Sequence, residues 1–460
     1  MSKRLRIFAT LPFLLVAPLV TSAAQYCSLR PPPGGSSLAA GGIQHTTNAT
    51  DGSDVIASAW YPGWLATDFP PSSISWNRYN AMTFSFATTT PDVSTIALDD
   101  VSTQALPEFV SAAKNNVGSH FFQQKLDRPT ILFQGVTALL SIGGWTGSQY
   151  YSTAVATSEN RTAFVSAVLD LVSKYDLDGI DFDWEYPGKV GLPCNVVNPD
   201  DSNNFLLFLQ ELREQPAGKD LVLTAAVGIA PFVGPNQLPM DDVSDFSLVL
   251  DRIAIMAYDV WGSWSPSVGP NAPLDDSCAS DQEGSAVSAV NAWTAANFPA
   301  NITLGVAAYG HSFRVSPTAA LNSTGSIILY PSFEKDSQPM GSADTPGDTS
   351  SDPCGDPNGV SGVFTFAGLV SGGFLDSDGT AASGIEYTFD SCSQTPFVYN
   401  ESSQVMVSYD DATSFAAKGT FINAQGLLGF AVWDVTGDYN DILLDSLHEA
   451  MGIEQVCEAS

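Results

Sequence analysis

The chain has 460 residues, of which 17 are Lys or Arg and 49 are Asp or Glu, for a formal net charge of −32 at pH 7. So acidic a surface repels nucleic acid and anionic membranes and excludes both as partners, whereas a neutral or cationic ligand suits it. The length exceeds one average domain and matches an α/β barrel that carries an insertion.

The first elements do not belong to the fold. Lys3, Arg4 and Arg6 precede an apolar run, Ile7 to Val20, and then Thr21-Ser22-Ala23-Ala24. This pattern predicts a secretory signal peptide over 1–24, cleaved after Ala24, and hence a secreted, extracellular protein. The run is too short for an anchor and contains Pro12 and Pro18. Residues 25–53 are rich in Pro, Gly, Ser and Thr and predict an extended N-terminal segment. Two further features fit export. Six cysteines (27, 194, 278, 354, 392 and 457) lack the short spacings of a metal site and predict disulfides, whose pairing the count alone leaves open. Five glycosylation sequons occur, at Asn48, Asn160, Asn301, Asn322 and Asn400.

From residue 54 to 450 short β-branched, apolar runs recur, at 55–61, 80–87, 136–142, 178–185, 221–228, 252–258, 302–309 and 426–433. Helical spacing separates several of them. Phe164, Val168, Leu171 and Tyr175 precede the fourth run, and Phe205, Leu206, Phe208, Leu209 and Leu212 follow it. Eight strands alternating with helices predict a TIM barrel, a closed (β/α)8 fold of the α/β class. The gap between the seventh and eighth runs is more than twice any other. Its span, 312–400, is rich in Ser, Thr, Gly, Asp and Pro, yet Phe364, Phe366, Phe374, Tyr387 and Phe389 predict a small α+β subdomain with its own core. Residues 451–460 read as a C-terminal tail.

The chemistry concentrates in DGIDFDWEYPG, residues 178–188. Residues two apart on a strand share a face, so Asp181, Asp183 and Glu185 stack on one side and Ile180, Phe182 and Trp184 on the other. Crowded carboxylates cannot all ionise cheaply, so at least one should keep its proton near neutral pH. At the C-terminal end of a barrel strand, where barrel enzymes act, that predicts general-acid chemistry on a glycosidic bond. Asp178 breaks the period of two and is expected to play a structural part.

At this motif the chain resembles glycoside hydrolase family 18, the chitinases and their relatives, whose DxxDxDxE signature Asp178, Asp181, Asp183 and Glu185 fill. Further blocks agree in order: Ser141-Ile142-Gly143-Gly144-Trp145, Met256-Ala257-Tyr258-Asp259, Tyr309-Gly310-His311-Ser312-Phe313, Val407-Ser408-Tyr409-Asp410-Asp411 and Gly429-Phe430-Ala431-Val432-Trp433-Asp434. The resemblance implies a retaining, substrate-assisted chitinase that needs no cofactor and no metal. It implies Glu185 as general acid and base, and Asp183 as the group that orients the substrate's acetamido group. Asp181 would poise Asp183, and Tyr258 would bond the acetamido oxygen. The expected substrate-binding residues are Trp433, as the floor, with Met256, Asp259, Trp145, Tyr186, Trp64 and Phe86. Trp60, Trp64, Trp145, Trp261 and Trp264 together suggest stacking platforms for sugar rings. His311 stands where many relatives have Arg and reads as a rim residue without a part in the chemistry. The expected ligands are chitin and its oligosaccharides, bound by a monomer. Cys354–Cys392 is expected to staple the insertion and Cys27–Cys457 the termini.

Two other functions stay open on the sequence. One is a lectin of the same fold that binds chitin without cutting, although such proteins typically lose the terminal Glu of the motif. The other is an endo-β-N-acetylglucosaminidase acting on N-glycans, against which the insertion argues.

Overall fold

The computed structural model describes residues 26–30, 55–116, 135–299 and 301–458. The expected signal peptide, Asn48 and most of the 25–53 segment lie outside the described residues. Eight parallel strands close into a barrel: Ile56–Pro62, Ala81–Thr89, Thr137–Gly143, Gly179–Asp183, Val222–Val227, Arg252–Ile255, Ile302–Ala307 and Gly429–Trp433. Each pairs with its neighbour, and the eighth returns to the first with Gly429 opposite Ile56. These are the eight apolar runs of the sequence. Covered on both faces, such strands read as nearly continuous hydrophobic stretches.

The helices around the barrel begin where short polar side chains satisfy free backbone N–H groups. Asp99 accepts from the Ser102 N–H ahead of the helix Asp100–Asn115, and Thr157 accepts from the Asn160 N–H ahead of Ser158–Tyr175. Phe164 and Val168 turn inward from the latter, as do Phe205, Phe208, Leu209 and Leu212 from the helix Asp201–Glu214. Among the described residues no helix is long and apolar enough to cross a membrane.

Between the seventh and eighth strands the chain builds a five-stranded antiparallel sheet. Its spatial order is Val363–Thr365, Tyr309–Arg314, Val405–Ser408, Thr395–Asn400 and Glu386–Asp390. Its core is Val268, Phe313, Val315, Ala320, Ile327, Phe397, Tyr399 and Met406. Of the aromatic residues expected there, Phe364, Phe366 and Phe374 instead join the barrel's core, because the Phe366 N–H bonds the Ala308 carbonyl at the end of the seventh barrel strand. Tyr387 is exposed.

The expected Cys354–Cys392 bridge is not formed. Cys354 pairs with Cys194 and Cys392 with Cys278, at Cα separations of 5.3 Å and 5.9 Å, both within the range a disulfide spans. The two cysteines of the insertion each meet a different barrel loop, so the bridges fasten the subdomain to the barrel rather than to itself. At the termini, Tyr26–Arg30 and Glu454–Glu458 pair antiparallel with Cys27 opposite Cys457. The side chains of that expected bridge lie outside the described residues.

Candidate active site

The fourth barrel strand carries the acids on the face that the alternation predicts. Ile180 and Phe182 are wholly buried outward, and Trp184 stacks on Tyr151 at 5.0 Å. The parallel register places Ser141 and Thr224 on either side of Asp181. Both hydroxyls donate to its carboxylate, as does the Trp60 indole N–H at 3.0 Å. Three donors hold Asp181 in place, and none of its hydrogen bonds is to Asp183. One layer higher, Asp183 lies between Gly143 and Ala226. Gly143 has φ 112°, and a Cβ there would meet the Asp183 carbonyl at 2.0 Å, so only glycine fits. Asp183 is 5% exposed, and its Oδ1 has no hydrogen-bond partner. Asp178, the out-of-phase acid, accepts from the Ala138 N–H at 2.8 Å and joins the third strand to the fourth.

The strand ends at Asp183, and Glu185 lies just above the barrel mouth. Its N–H donates to Ser148 Oγ at 3.0 Å, and its carbonyl accepts from Asn195 Nδ2 at 3.1 Å. Burial is the main cause that pushes its carboxyl up to about 7, with Asp259's charge acting in the same direction and a hydrogen bond to Tyr186 against it. Burial, then Glu185 and Asp181, hold Asp183 well above the usual carboxylate range. Tyr258 is pushed far up by burial and by Asp183, Asp259 and Glu185, so it stays protonated and can donate.

These groups open into a cavity of about 590 Å³ at the C-terminal ends of the strands. The structure brings Glu185, Asp183, Tyr258, Met256, Asp259, Trp145, Tyr186, Trp64, Phe86 and Trp433 together in its lining; Asp181 lies beneath it. Trp433 packs against Phe86 at 5.5 Å, Trp60 at 6.1 Å and Trp64 at 6.4 Å, an apolar floor suited to the C–H face of a sugar. Three non-proline cis peptide bonds, Ser85–Phe86, Glu185–Tyr186 and Trp433–Asp434, all lie at this cavity. The lining also contains Thr146, Gly228, Ile229, Val260 and Glu283. Sequence reasoning missed these: Thr146 lies in the short helix Gly144–Gly147, Gly228 directly follows the fifth barrel strand, and Ile229, Val260 and Glu283 sit on loops that carry no periodic signal.

Three expectations need correction. Trp261 is 2% exposed and packs on Tyr330 as a core residue. Trp264 is 59% exposed but outside the cavity lining, edge-on to His311. His311 is no rim residue: it is 6% exposed, and its Nε2 lies 2.7 Å from Asp259 Oδ1.

The sequence profile of "Glycosyl hydrolases family 18" matches residues 58–438. The chain belongs to that family. Among solved family 18 structures similar to it, a chitinase from Rhizomucor miehei is 32% identical, covers 85% of this chain and 99% of its own, and superposes with a TM-score of 0.72. A "chitinase-like effector" from Moniliophthora roreri is 47% identical over 406 residues, 87% of this chain and 93% of its own length. "Chitinase A1" from Niallia circulans is 31% identical over 319 residues, 67% of this chain and 42% of its own length.

Proposed function

We propose that this family 18 glycoside hydrolase is a secreted chitinase that cleaves β-1,4-linked N-acetylglucosamine chains with retention, using the substrate's own acetamido group as nucleophile. One observation carries the reading. A carboxyl titrating near 7, Glu185, stands over an aromatic floor beside a buried carboxyl, Asp183, whose Oδ1 lacks a partner. The resemblance to chitinases, over 85% of the chain for one and 67% for another, supports the substrate class. Two disulfides and a signal-like N-terminus support export.

With a sugar seated on Trp433, Glu185 gives its proton to the glycosidic oxygen. The C1–O bond breaks as the acetamido carbonyl oxygen bonds to C1, which leaves an oxazolinium ion. Asp183, made more basic by burial, accepts the acetamido N–H at its free oxygen and stabilises the developing positive charge. Tyr258 donates to the acetamido oxygen and turns it toward C1. Asp181, fixed by Trp60, Ser141 and Thr224, supports Asp183 from below. Water then attacks C1 and passes a proton to the Glu185 carboxylate as the oxazolinium ring opens, which restores the acid.

The test is product release from chitin oligosaccharides by the purified chain and by Glu185→Gln. Cleavage by the first, with binding but no cleavage by the second, supports the proposal. Binding without cleavage by both makes the protein a chitin-binding lectin. Trimming of N-glycans with no action on chitin keeps the chemistry and overturns the substrate.

A further inference from the structure

We propose that His311 is a positioning residue: from the insertion sheet it holds the Asp259 carboxylate against the cleft and so sets the subsite beside Glu185. The inference rests on the catalytic reading of this cleft. His311 lies on the strand Tyr309–Arg314, with Val363 opposite on one side and Ser408 on the other. Its ring is wedged edge-on between Tyr309 at 5.8 Å and Trp264 at 5.3 Å, with interplanar angles of 88° and 80°. That packing leaves the ring little freedom to turn, and it aims Nε2 at Asp259 Oδ1, 2.7 Å away. Because a carboxylate only accepts, Nε2 carries the proton of this bond.

Asp259 needs such support. Its backbone is left-handed, at φ 54°, a conformation uncommon outside glycine. Its side chain is half exposed, free to swing into solvent unless something holds it. Two anchors do: His311 from the insertion sheet, and Asn271 from the same loop as Asp259, itself bonded to that sheet. The Asp259 N–H donates to Asn271 Oδ1 at 3.0 Å. Asn271, wholly buried, in turn donates from Nδ2 to the Tyr309 carbonyl and from its backbone N–H to Ser408 Oγ. The backbone is therefore tied through Asn271 and the carboxylate through His311. The consequence reaches the proton donor, since Asp259 lines the same cavity and its charge helps keep Glu185 protonated. The other titratable groups that bear on this corner are Asp183, Tyr186, Tyr258 and Tyr309.

The experiment compares His311→Phe, which keeps the ring packing and removes the donor, with His311→Gln, which keeps an N–H near the same point. Both are made in the full chain and also in an Asp259→Asn background. On soluble chitin oligosaccharides H311F should lower kcat/KM about tenfold or more and move the alkaline limb of the kcat/KM profile to lower pH. H311Q should recover most of both. In the D259N background H311F should cost little more, because the pair acts as one unit. Oligosaccharide binding, measured calorimetrically, should follow the same order, so the inference stays testable even if the wild type binds without cutting. The inference is overturned if H311F matches the wild type, if H311Q is as poor as H311F, or if H311F costs as much in D259N as in the wild type. Absence of any cleavage by the wild type would refute the hydrolase reading alone.

Discussion

Replacing Glu185 by Gln should make the folded chain more stable at mildly alkaline pH and leave it nearly unchanged in acid. In the unfolded chain this carboxyl ionises near its ordinary 4.5, whereas in the fold burial keeps it protonated to about 7. Between those values the folded state binds more protons than the unfolded state, so stability falls as pH rises through the window. Each pH unit is worth about 1.36 kcal/mol, so the full shift corresponds to roughly 3 kcal/mol. Glu185 as a residue is only partly buried, which reduces the expected gain for Gln to about 1–3 kcal/mol. Gln has the same shape and no charge to desolvate. Urea denaturation of both proteins at about pH 4 and about pH 8 reads the difference directly. A gain confined to the higher pH supports the electrostatics of the site. An equal effect at both pH values, or a loss at the higher one, would refute the claim that Glu185 is held protonated by burial.

Other consequences can be checked alongside. At pH 6 a carboxyl titrating near 7 is roughly 90% protonated. The kcat/KM on chitin oligosaccharides should therefore be flat there and fall about tenfold per pH unit above 7, if Glu185 is the acid. Asp259→Asn removes a charge that raises Glu185, so the same limb should move to lower pH. Thr224→Val leaves the buried Asp181 short of a donor and should destabilise the chain by about 1–3 kcal/mol in urea titrations. The double change Cys194→Ser with Cys354→Ser frees the insertion from the loop that follows the catalytic strand. It should cost about 2–4 kcal/mol and quicken limited proteolysis of that loop.

Much of this architecture is written locally. The eight strands show as apolar runs because a barrel buries each strand on both faces, and the acids at 181 and 183 keep the period of two that places them inside. The long gap before the eighth strand reveals the insertion for the same reason: too much chain separates two neighbouring strands. What the sequence hides depends on contacts between distant segments. Cys354 and Cys392 look like a pair because they share the insertion, yet each faces a different barrel loop. His311 sits within a recognisable motif, but its value lies in a bond to Asp259 across the fold, 52 residues away in sequence. Glu283 and Ile229 reach the cavity from loops whose course no periodicity encodes. Trp261 and Trp264, three residues apart, end in opposite surroundings because the turn between them is set by Ser265 Oγ accepting from the Gly262 N–H.

The central claim, hydrolysis with retention through the substrate's acetamido group, is tested most directly by the anomeric form of the first product. Proton NMR during the earliest turnover of a chitin oligosaccharide would follow it before mutarotation. The β-anomer should appear first and the α-anomer grow in later. An α-anomer formed at the outset would contradict the claim, since water would then have displaced the leaving group directly and Asp183 would have no oxazolinium ion to stabilise.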